Sequence, residues 1–332
     1  MTKIVIDKDI PFLEGVFEPF AEVVRLGGRD ISSRDLRDAD ALVVRTRTRC
    51  DAALLADSGV RIVATATIGT DHIDADWCGR NGIDVVNAAG CNARGVLQWV
   101  SAVLEYVLGI RNKRPSDVTL GIVGVGHVGS LVEEYARMWG FRTVCCDPPR
   151  EEREHCGFVA IEDLFRYADI VTLHTPLDNT TYHLVNDELL GMYDRLPLII
   201  NSSRGEVIDT AALLASGAEF AADVWEHEPD LDPEMLGRAI IATPHIAGYS
   251  LQGKANASAA AVAAVAAKLG LPLRGWYPAG VHTSEPKQLS WSELCARISS
   301  YCDVGAESRR LKSAAADFER MRNEYCYREE FF

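Results

Sequence analysis

The first part of the chain alternates short apolar runs with segments whose apolar residues have helical spacing. Runs rich in Val, Ile and Ala are typical of buried strands, and the spacing between them is typical of helices. The predicted strands are Lys3–Asp7, Glu22–Leu26, Ala41–Arg45, Arg61–Ala66 and Ile83–Asn87. The predicted helices are Pro11–Phe17, Asp51–Ala56 and His72–Gly82. This alternation predicts a parallel sheet that is covered by helices on both faces.

The alternation resumes after a long predicted helix, Asn92–Gly109. The strands predicted in this second region are the apolar run from Thr119, Phe141–Cys146, Asp169–His174, Pro197–Asn201, Phe220–Val224 and Ala239–Thr243. The helices predicted between them are His127–Trp139, with an apolar face of Val128, Leu131, Tyr135 and Met138, and Ile161–Tyr167, Asn186–Tyr193 and Thr210–Ala215. Further on, an Ala-rich helix is expected at Ala255–Leu269, and a helical stripe at Leu311, Phe318, Met321 and Tyr325.

The run from Thr119 ends in a glycine pattern that is typical of a dinucleotide-binding turn. Its residues are Gly124, Val125, Gly126, His127, Val128 and Gly129. In the pattern G-x-G-x-x-G one glycine permits the tight turn, one permits close approach to a pyrophosphate, and one permits close packing of helix on strand. The next strand ends at Asp147, at the distance expected for an acid that hydrogen-bonds the ribose 2′-OH. The context therefore predicts that the turn binds NAD, and Asp147 favours NAD over NADP.

Composition limits the classes of function. The chain has 332 residues, enough for two domains, and a formal net charge of −14, which argues against nucleic acid or an anionic membrane as a partner. Nine cysteines without a C-x-x-C pair predict reduced thiols in the cytoplasm and no metal site. No segment is apolar enough to predict a membrane span, and the N-terminus lacks the apolar core of a signal peptide.

Three residues at successive strand ends of the second region could carry dehydrogenase chemistry. A dehydrogenase that works without a metal needs a general base with a pKa near the working pH, and His245 is the candidate. A carboxylate partner would hold the tautomer of this histidine, and sequence spacing leaves Glu226 and Glu228 both open. Arg204 supplies a planar cation for the carboxylate of a hydroxy acid.

In the first region, arginines alternate after the third predicted strand, at positions 45, 47 and 49. Three arginines at alternate positions should point at least one side chain toward the carboxyl ends of the strands, where ligands bind open α/β sheets. We therefore expect Arg45 or Arg47 to contact a phosphate or a carboxylate.

The order of these motifs resembles the D-isomer-specific 2-hydroxyacid dehydrogenases. The motifs are the glycine turn, the acid at Asp147, H-T-P-L from His174, N-x-x-R-G from Asn201, D-V-W-E-x-E-P from Asp223 and T-P-H-I-A-G from Thr243. G-C-N-A from Gly90, C-D-P-P-R from Cys146 and the tyrosine at Tyr249 resemble a subgroup that oxidises 4-phosphoerythronate with NAD in vitamin B6 biosynthesis.

The resemblance implies roles for individual residues. It implies Arg204 as the residue that orients the substrate, Glu228 rather than Glu226 as the partner of the histidine, and His245 as proton donor or acceptor. It implies cofactor contacts from Gly124, Gly126, His127, Val128, Gly129, Asp147, Thr175, Ser202, Ser203, Arg204, Asp223 and Gly248. Substrate contacts are implied for Thr46, Thr67 and Tyr249, with Arg45 as the further candidate from its position.

The resemblance also implies an architecture in which the NAD domain is inserted into a split substrate domain. We expect a substrate domain at residues 1–93 and 248–277, an NAD-binding Rossmann domain at 94–247, and a shortened C-terminal dimerisation region at 278–332. Hinges are expected near Gly90–Asn92 and Gly248–Ser250, and the expected assembly is a homodimer. Two alternatives stay open: another hydroxy acid such as glycerate, lactate or phosphoglycerate, or an NAD-sensing, corepressor-like binding protein.

Overall fold

The computed structural model describes residues 2–155 and 157–332, which form an α/β fold with two parallel sheets. Cys156 lies outside the described residues, and the other eight cysteines are free thiols. Burial raises the pKa of Cys50 and Cys145 to about 12, so both thiols stay protonated at neutral pH. No helix within the described ranges is long and apolar enough to cross a membrane.

The chain divides into two compact units, Met1–Asn92 with Leu251–Thr283, and Ala93–Ser250 with Ser284–Phe332. The first contains a five-stranded sheet in the order β2-β1-β3-β4-β5. Its elements are β1 (Lys3–Asp7), β2 (Glu22–Leu26), α1 (Ser33–Leu36), β3 (Ala41–Val44), α2 (Ala52–Leu55), β4 (Ile62–Thr65), α3 (Ala75–Arg80) and β5 (Asp84–Asn87). Every residue of β3 and β4 is buried, as continuous apolar runs predict for the centre of a parallel sheet.

All five strands predicted in this region are confirmed, with bounds up to one residue shorter at either end. The predicted helix Pro11–Phe17 is wrong, because these residues form turns. Phe12 and Gly15 both have positive φ, 67° and 77°, in the left-handed region that a right-handed helix excludes. The apolar residues of this segment are nevertheless buried, and Leu13 and Phe17 belong to the core on one face of the sheet.

The second unit contains a six-stranded parallel sheet in the order β11-β10-β9-β8-β6-β7. Its elements as far as Ser250 are α4 (Ala93–Ile110), β6 (Thr119–Val123), α5 (His127–Trp139), β7 (Arg142–Cys146), α6 (Pro148–Glu154), α7 (Ile161–Tyr167), β8 (Ile170–Leu173), α8 (Asp187–Gly191), β9 (Leu198–Asn201), α9 (Thr210–Ser216), β10 (Phe220–Ala222), α10 (Pro233–Arg238) and β11 (Ile241–Ala242). Every strand predicted for this region is confirmed.

The helix α5 has its predicted bounds, but its buried face is rotated from the predicted one. Met138 is 40% exposed, and Val128 and Leu131 are only partly buried. Of the predicted face, Tyr135 is buried as expected, and the other buried side chains are Val132, Ala136 and Trp139. Two faces of this helix carry apolar residues at helical spacing, and the sequence pattern could not tell which of them meets the sheet.

The remaining elements are α11 (Leu251–Leu269), which packs in the first unit, and α12 (Trp291–Tyr301), α13 (Val304–Ser313) and α14 (Phe318–Asn323), which pack in the second. The stripe predicted as one C-terminal helix is divided, because a 3₁₀ turn at Ala315–Asp317 separates α13 from α14 and Tyr325 follows α14. Its members Leu311, Phe318 and Met321 are buried in the core of the second unit.

We predict that removing the Phe318 side chain destabilises the second unit. Phe318 is 1% exposed, so Phe318→Ala should cost about 3–5 kcal/mol of unfolding free energy through the cavity it leaves. The matched control Tyr167→Ala removes an aromatic ring that is 61% exposed and should change stability by less than about 0.5 kcal/mol. Urea unfolding measures both, and equal midpoints for the two variants would contradict the packing of this segment.

Candidate active site

The glycine turn after β6 shows a separate steric need at each glycine. Gly124 has φ 82°, and a Cβ on it would lie 2.8 Å from the backbone carbonyl of His174. A Cβ on Gly129 would lie 2.0 Å from the carbonyl oxygen of Gly124, so the first turn of α5 can approach the strand only through glycine. A Cβ on Gly126 would meet nothing within 4 Å. Gly126 therefore leaves an open backbone surface, where a ligand can approach.

Asp147, the acid predicted to contact the ribose, connects the end of β7 to this turn. One carboxylate oxygen accepts the backbone N–H of Val125 at 2.7 Å, and the other accepts that of Arg150 at 3.0 Å as the N-cap of α6. The Arg150 guanidinium is paired with Glu154 at 2.8 Å and lies over the ring of Phe158. Arg150 is thus neutralised locally, which weakens the case for it as a partner of an NADP 2′-phosphate.

Two hydroxyls near the glycine turn fit a bound polar cofactor. Thr175 follows β8 and Ser202 follows β9, and their buried hydroxyl oxygens have no hydrogen-bond partner within the part of the chain that the structure describes. A buried polar group without a partner is costly, so such hydroxyls are suited to a ligand that brings its own donors and acceptors. The neighbouring Ser203 hydroxyl is already bonded to Asn201 at 2.8 Å.

His245 follows β11 in a left-handed backbone conformation, with φ 56°. Its Nδ1 lies 2.7 Å from Oε2 of Glu228, whose other oxygen accepts the Trp225 N–H at 3.0 Å. Burial raises the pKa of Glu228, but the charge of His245, its hydrogen bond and the charge of Arg322 outweigh burial and lower that pKa below its usual value. A carboxylate that stays ionised holds Nδ1 protonated and leaves Nε2 to exchange a proton.

Glu226, the rival partner in the sequence, belongs to a different pair. Its Oε1 lies 2.7 Å from Nε2 of His183, and its Oε2 accepts the Thr210 N–H at 3.1 Å. His174 is also unsuited as a base, because desolvation in its partly buried position lowers its pKa to about 3. His183 and His245 thus both have a carboxylate partner and a side chain that is 26% exposed, and of these two His245 lies in the loop that also carries Gly248 and Tyr249.

The carboxylate of Asp223, which is predicted as a cofactor contact, accepts hydrogen bonds from the loop after β11. Asp223 is 1% exposed, and its carboxylate accepts the N–H groups of Ile246 and Ala247 at 2.8 Å and the hydroxyl of Thr243 at 2.5 Å. These bonds fix the turn that carries His245. Gly248 and Tyr249 follow directly in the same loop.

Arg204 lies at the start of a 3₁₀ turn, Gly205–Val207, after β9. One terminal nitrogen donates to the Ser203 carbonyl at 2.8 Å, and the side chain is partly exposed. A Cβ on Gly205 would lie 2.0 Å from the Trp225 carbonyl carbon, so this turn packs tightly against the segment that carries Glu228. The structure thus places a partly exposed arginine beside the turn, and a guanidinium is a side chain suited to bind a carboxylate or phosphate.

The predicted substrate residues of the first unit lie after β3 and β4. Arg45 is engaged by two carboxylates, Asp7 at 3.3 Å and Asp9 at 3.1 Å. Thr46 is exposed in the following turn, which departs from the strand geometry that the alternating arginines had suggested. The Thr67 hydroxyl lies 2.6 Å from that of Thr65 and donates to the Gly69 carbonyl at 3.1 Å.

Sequence reasoning missed the contribution of the C-terminal segment to this site. Arg322 of α14 lies 3.6 Å from Glu228 and donates to the Tyr249 hydroxyl at 3.1 Å. The buried Arg328 donates to backbone carbonyls of the loop after β11, among them that of Ile246 at 2.9 Å. The apolar stripe that includes Met321 signalled a packed segment, but no motif spacing linked it to Glu228.

Residues 98–247 match the family profile described as D-isomer specific 2-hydroxyacid dehydrogenase, NAD binding domain. Over 99% of its length the chain is 39% identical to the erythronate-4-phosphate dehydrogenase of Bacteroides thetaiotaomicron, of which it covers 97%. The chain belongs to the D-isomer-specific 2-hydroxyacid dehydrogenase family. This dehydrogenase is also 43% identical to the erythronate-4-phosphate dehydrogenase of Pseudomonas paraeruginosa. That match covers 77% of this chain and 70% of the relative.

Among solved structures, the dehydrogenase resembles the NAD⁺-bound 3-phosphoglycerate dehydrogenase of Entamoeba histolytica. The TM-score is 0.69 at 26% identity, with 85% of this chain and 99% of the other covered. Family membership makes this chain an NAD-dependent oxidoreductase that acts on CH–OH groups. The open face of Gly126 and the unpartnered hydroxyls of Thr175 and Ser202 fit the binding of NAD.

We predict opposite outcomes for alanine at two glycines of the turn. Gly129→Ala should lower the melting temperature by several degrees, since a Cβ there collides with the Gly124 carbonyl and costs on the order of 1–3 kcal/mol. Gly126→Ala has room in the protein and should keep the melting temperature while weakening NAD binding about tenfold. Thermal unfolding and NAD titration by fluorescence separate the two effects, and a stable Gly129→Ala protein would contradict the packing argument.

Proposed function

We propose that this dehydrogenase oxidises the C2 hydroxyl of 4-phospho-D-erythronate to 2-oxo-3-hydroxy-4-phosphobutanoate. The observation that carries the proposal is its 39% identity, over 99% of its length, to a relative named erythronate-4-phosphate dehydrogenase. This activity would place it in pyridoxal 5′-phosphate biosynthesis. The bonded pair of His245 and Glu228 supports the chemistry, since it provides a proton acceptor beside an ionised carboxylate.

In the proposed mechanism, Nε2 of His245 accepts the proton of the C2 hydroxyl as the C2–H bond breaks and the C2=O bond forms. NAD, when bound, supplies the hydride acceptor. The Glu228 carboxylate stabilises the imidazolium that results, and its bond to Nδ1 fixes the ring orientation. Arg204 binds the substrate carboxylate and so orients C2. For the reverse reduction, the same imidazolium returns the proton.

We assign substrate binding to Thr46, Thr67 and Tyr249, and NAD binding to the second unit. The ion pairs of Arg45 with Asp7 and Asp9 hold its guanidinium in place, so a phosphate contact from Arg45 would form in competition with two carboxylates. Arg47, which is exposed in the same loop, is the second candidate for the phosphate. A homodimer and closure at Asn92 and Ser250, where the compact units meet in sequence, belong to the same proposal.

A sibling activity on 3-phosphoglycerate is the second candidate, and it is favoured by the structural similarity to the dehydrogenase of that name. An NAD-sensing binding protein is disfavoured, because Arg204, Glu228 and His245 are all present and the last two are bonded. The two enzyme candidates differ in the substrate, and a direct comparison of substrates distinguishes them.

We predict that NADH formation is fastest with 4-phosphoerythronate. Absorbance at the NADH band should give a kcat/KM at least about tenfold above those for D-glycerate and D-lactate, because a phosphate contact is charge-assisted and worth about 1.5–3 kcal/mol. The kcat/KM for 3-phosphoglycerate, which carries a phosphate on a chain one carbon shorter, should also be lower, and it separates the two enzyme candidates. Erythronate without its phosphate is the matched control. A preference for an unphosphorylated acid, or for 3-phosphoglycerate, would refute the substrate assignment while leaving the family unaffected.

We also predict that substitutions of the two neighbouring glutamates, Glu226 and Glu228, have different effects on kcat. Glu228→Gln removes the charge that stabilises the imidazolium and should lower kcat by at least about 10²-fold. Glu226→Gln acts on the His183 pair and should leave kcat within about threefold, with some loss of stability. Steady-state kinetics with purified, folded variants measure this, and similar losses of kcat in both variants would reject Glu228 as the specific partner.

A further inference from the structure

A second cation lies against the carboxylate that binds His245. Arg322 is in α14, and its terminal nitrogen lies 3.6 Å from the same Oε2 of Glu228 that His245 contacts at 2.7 Å. Its Nε donates to the hydroxyl of Tyr249 at 3.1 Å. One guanidinium therefore joins the general-base pair to the tyrosine that is assigned to the substrate.

The position of Arg322 is set by packing on both sides. Phe318 and Met321, on the same short helix, are 1% and 4% exposed in the core of the second unit. Past α14, the buried Arg328 donates to the carbonyl of Gly95 at 2.8 Å, of Ile246 at 2.9 Å and also to that of Ala247. The chain after α14 is thus hydrogen-bonded to the loop that carries His245, and these bonds fix the position of Arg322 beside that loop.

This arrangement gives Arg322 an electrostatic effect on the base. Within the described residues, the Glu228 carboxylate pairs with His245 and Arg322, and it also accepts the Trp225 N–H. The hydroxyl of Tyr249 lies against Arg322 on the other side. The charge of the buried Asp223 also contributes to raising the pKa of Arg322. A cation shared with the carboxylate reduces the stabilisation that Glu228 can give to a protonated imidazole. Oxidation of a hydroxyl requires the neutral imidazole, so the cation favours the form that accepts a proton.

We propose that Arg322 is a positioning residue of the active site: it limits protonation of His245 through Glu228 and holds the Tyr249 hydroxyl for the substrate. The proposal rests on the proposed roles of His245 and Glu228, but it is independent of which 2-hydroxy acid is the substrate. It assigns a function in catalysis to the C-terminal segment.

The test is the pH dependence of kcat for oxidation in Arg322→Met, Arg322→Lys and the control Arg320→Met. Arg322→Met keeps much of the apolar stem of the arginine side chain and removes its positive charge. Arg320 lies on the same helix, is 60% exposed and pairs with Asp317. The acidic limb of the profile is the range in which kcat falls as the pH is lowered. In Arg322→Met this limb should move to higher pH by about 0.5–1 unit, because the imidazolium loses a repelling cation. Arg322→Lys keeps a positive charge and should bring the limb back close to its wild-type pH. Arg320→Met should leave the limb at its wild-type pH.

Substrate affinity gives a second readout. Loss of the Nε donor should raise KM for the hydroxy acid about fivefold in both Arg322 variants, and Tyr249→Phe should add little to Arg322→Met. A merely structural role would lower stability without moving the limb. An acidic limb that is unchanged in a folded Arg322→Met, shown by normal melting temperature and NAD affinity, overturns the proposal. If that variant does not fold, Arg322→Gln carries the same test with the same outcomes.

Failure of the substrate assignment is a separate result. It appears in the wild-type enzyme as slow turnover of 4-phosphoerythronate, and the pH profiles are then recorded with the acid that the substrate comparison identifies. If Glu228→Gln proves to have normal kcat, the base pair itself fails. A shifted limb in Arg322→Met, with normal behaviour of Arg320→Met, supports the role of Arg322 whichever acid is used.

Discussion

The buried carboxylate of Asp223 is the interaction on which the candidate active site depends. It lies at the end of β10 and accepts two N–H groups and one hydroxyl from the segment after β11. Backbone donors buried at the end of a short strand need acceptors, and this carboxylate supplies them. The same bonds hold His245 in a left-handed conformation, which a residue with a Cβ adopts at a cost of about 1 kcal/mol or more.

With that turn fixed, the ring of His245 reaches Glu228, and the two glutamates of one short segment serve two different histidines. Glu226 ties His183 to the start of α9 through Thr210, whereas Glu228 faces the candidate site. Residues two apart in a regular strand point to the same side, so Glu226 and Glu228 can reach different histidines only because the segment has left β10. The choice of partner therefore depends on the loop geometry.

The C-terminal segment has a larger part in the second unit than its position in the chain suggests. Its helices α12, α13 and α14 add Leu294, Ile298, Leu311 and Phe318 to the two cores of that unit. The guanidinium of Arg328 is buried, and it donates hydrogen bonds to the backbone carbonyls of Gly95, Ile246 and Ala247. Multiple carbonyl acceptors can offset the desolvation of a buried cation, and they also fasten the segment to the loop after β11.

The sequence by itself determined the two alternating α/β regions, all eleven strands of the described residues, the glycine turn and the strand ends at which Arg204, Glu228 and His245 lie. These features follow from local patterns: continuous apolar runs for buried strands, glycines where a Cβ has no room, and polar residues where parallel strands end. Local patterns failed where two conformations suit the same residues. Apolar spacing predicted a helix at Pro11–Phe17, which forms turns, and it selected the wrong face of α5.

Only the tertiary structure decided which groups meet across long separations in the chain. The contact of Arg322 with Glu228 and Tyr249, the bonds of Arg328 to the loop after β11, and the use of Asp223 as a support for that loop join residues far apart in sequence. Arg45 was expected to face a ligand, and its position beside Asp7 and Asp9 depends on the pairing of β1 with β3. Such contacts depend on how strands pair and helices pack, and the spacing of residues along the chain carries no record of either.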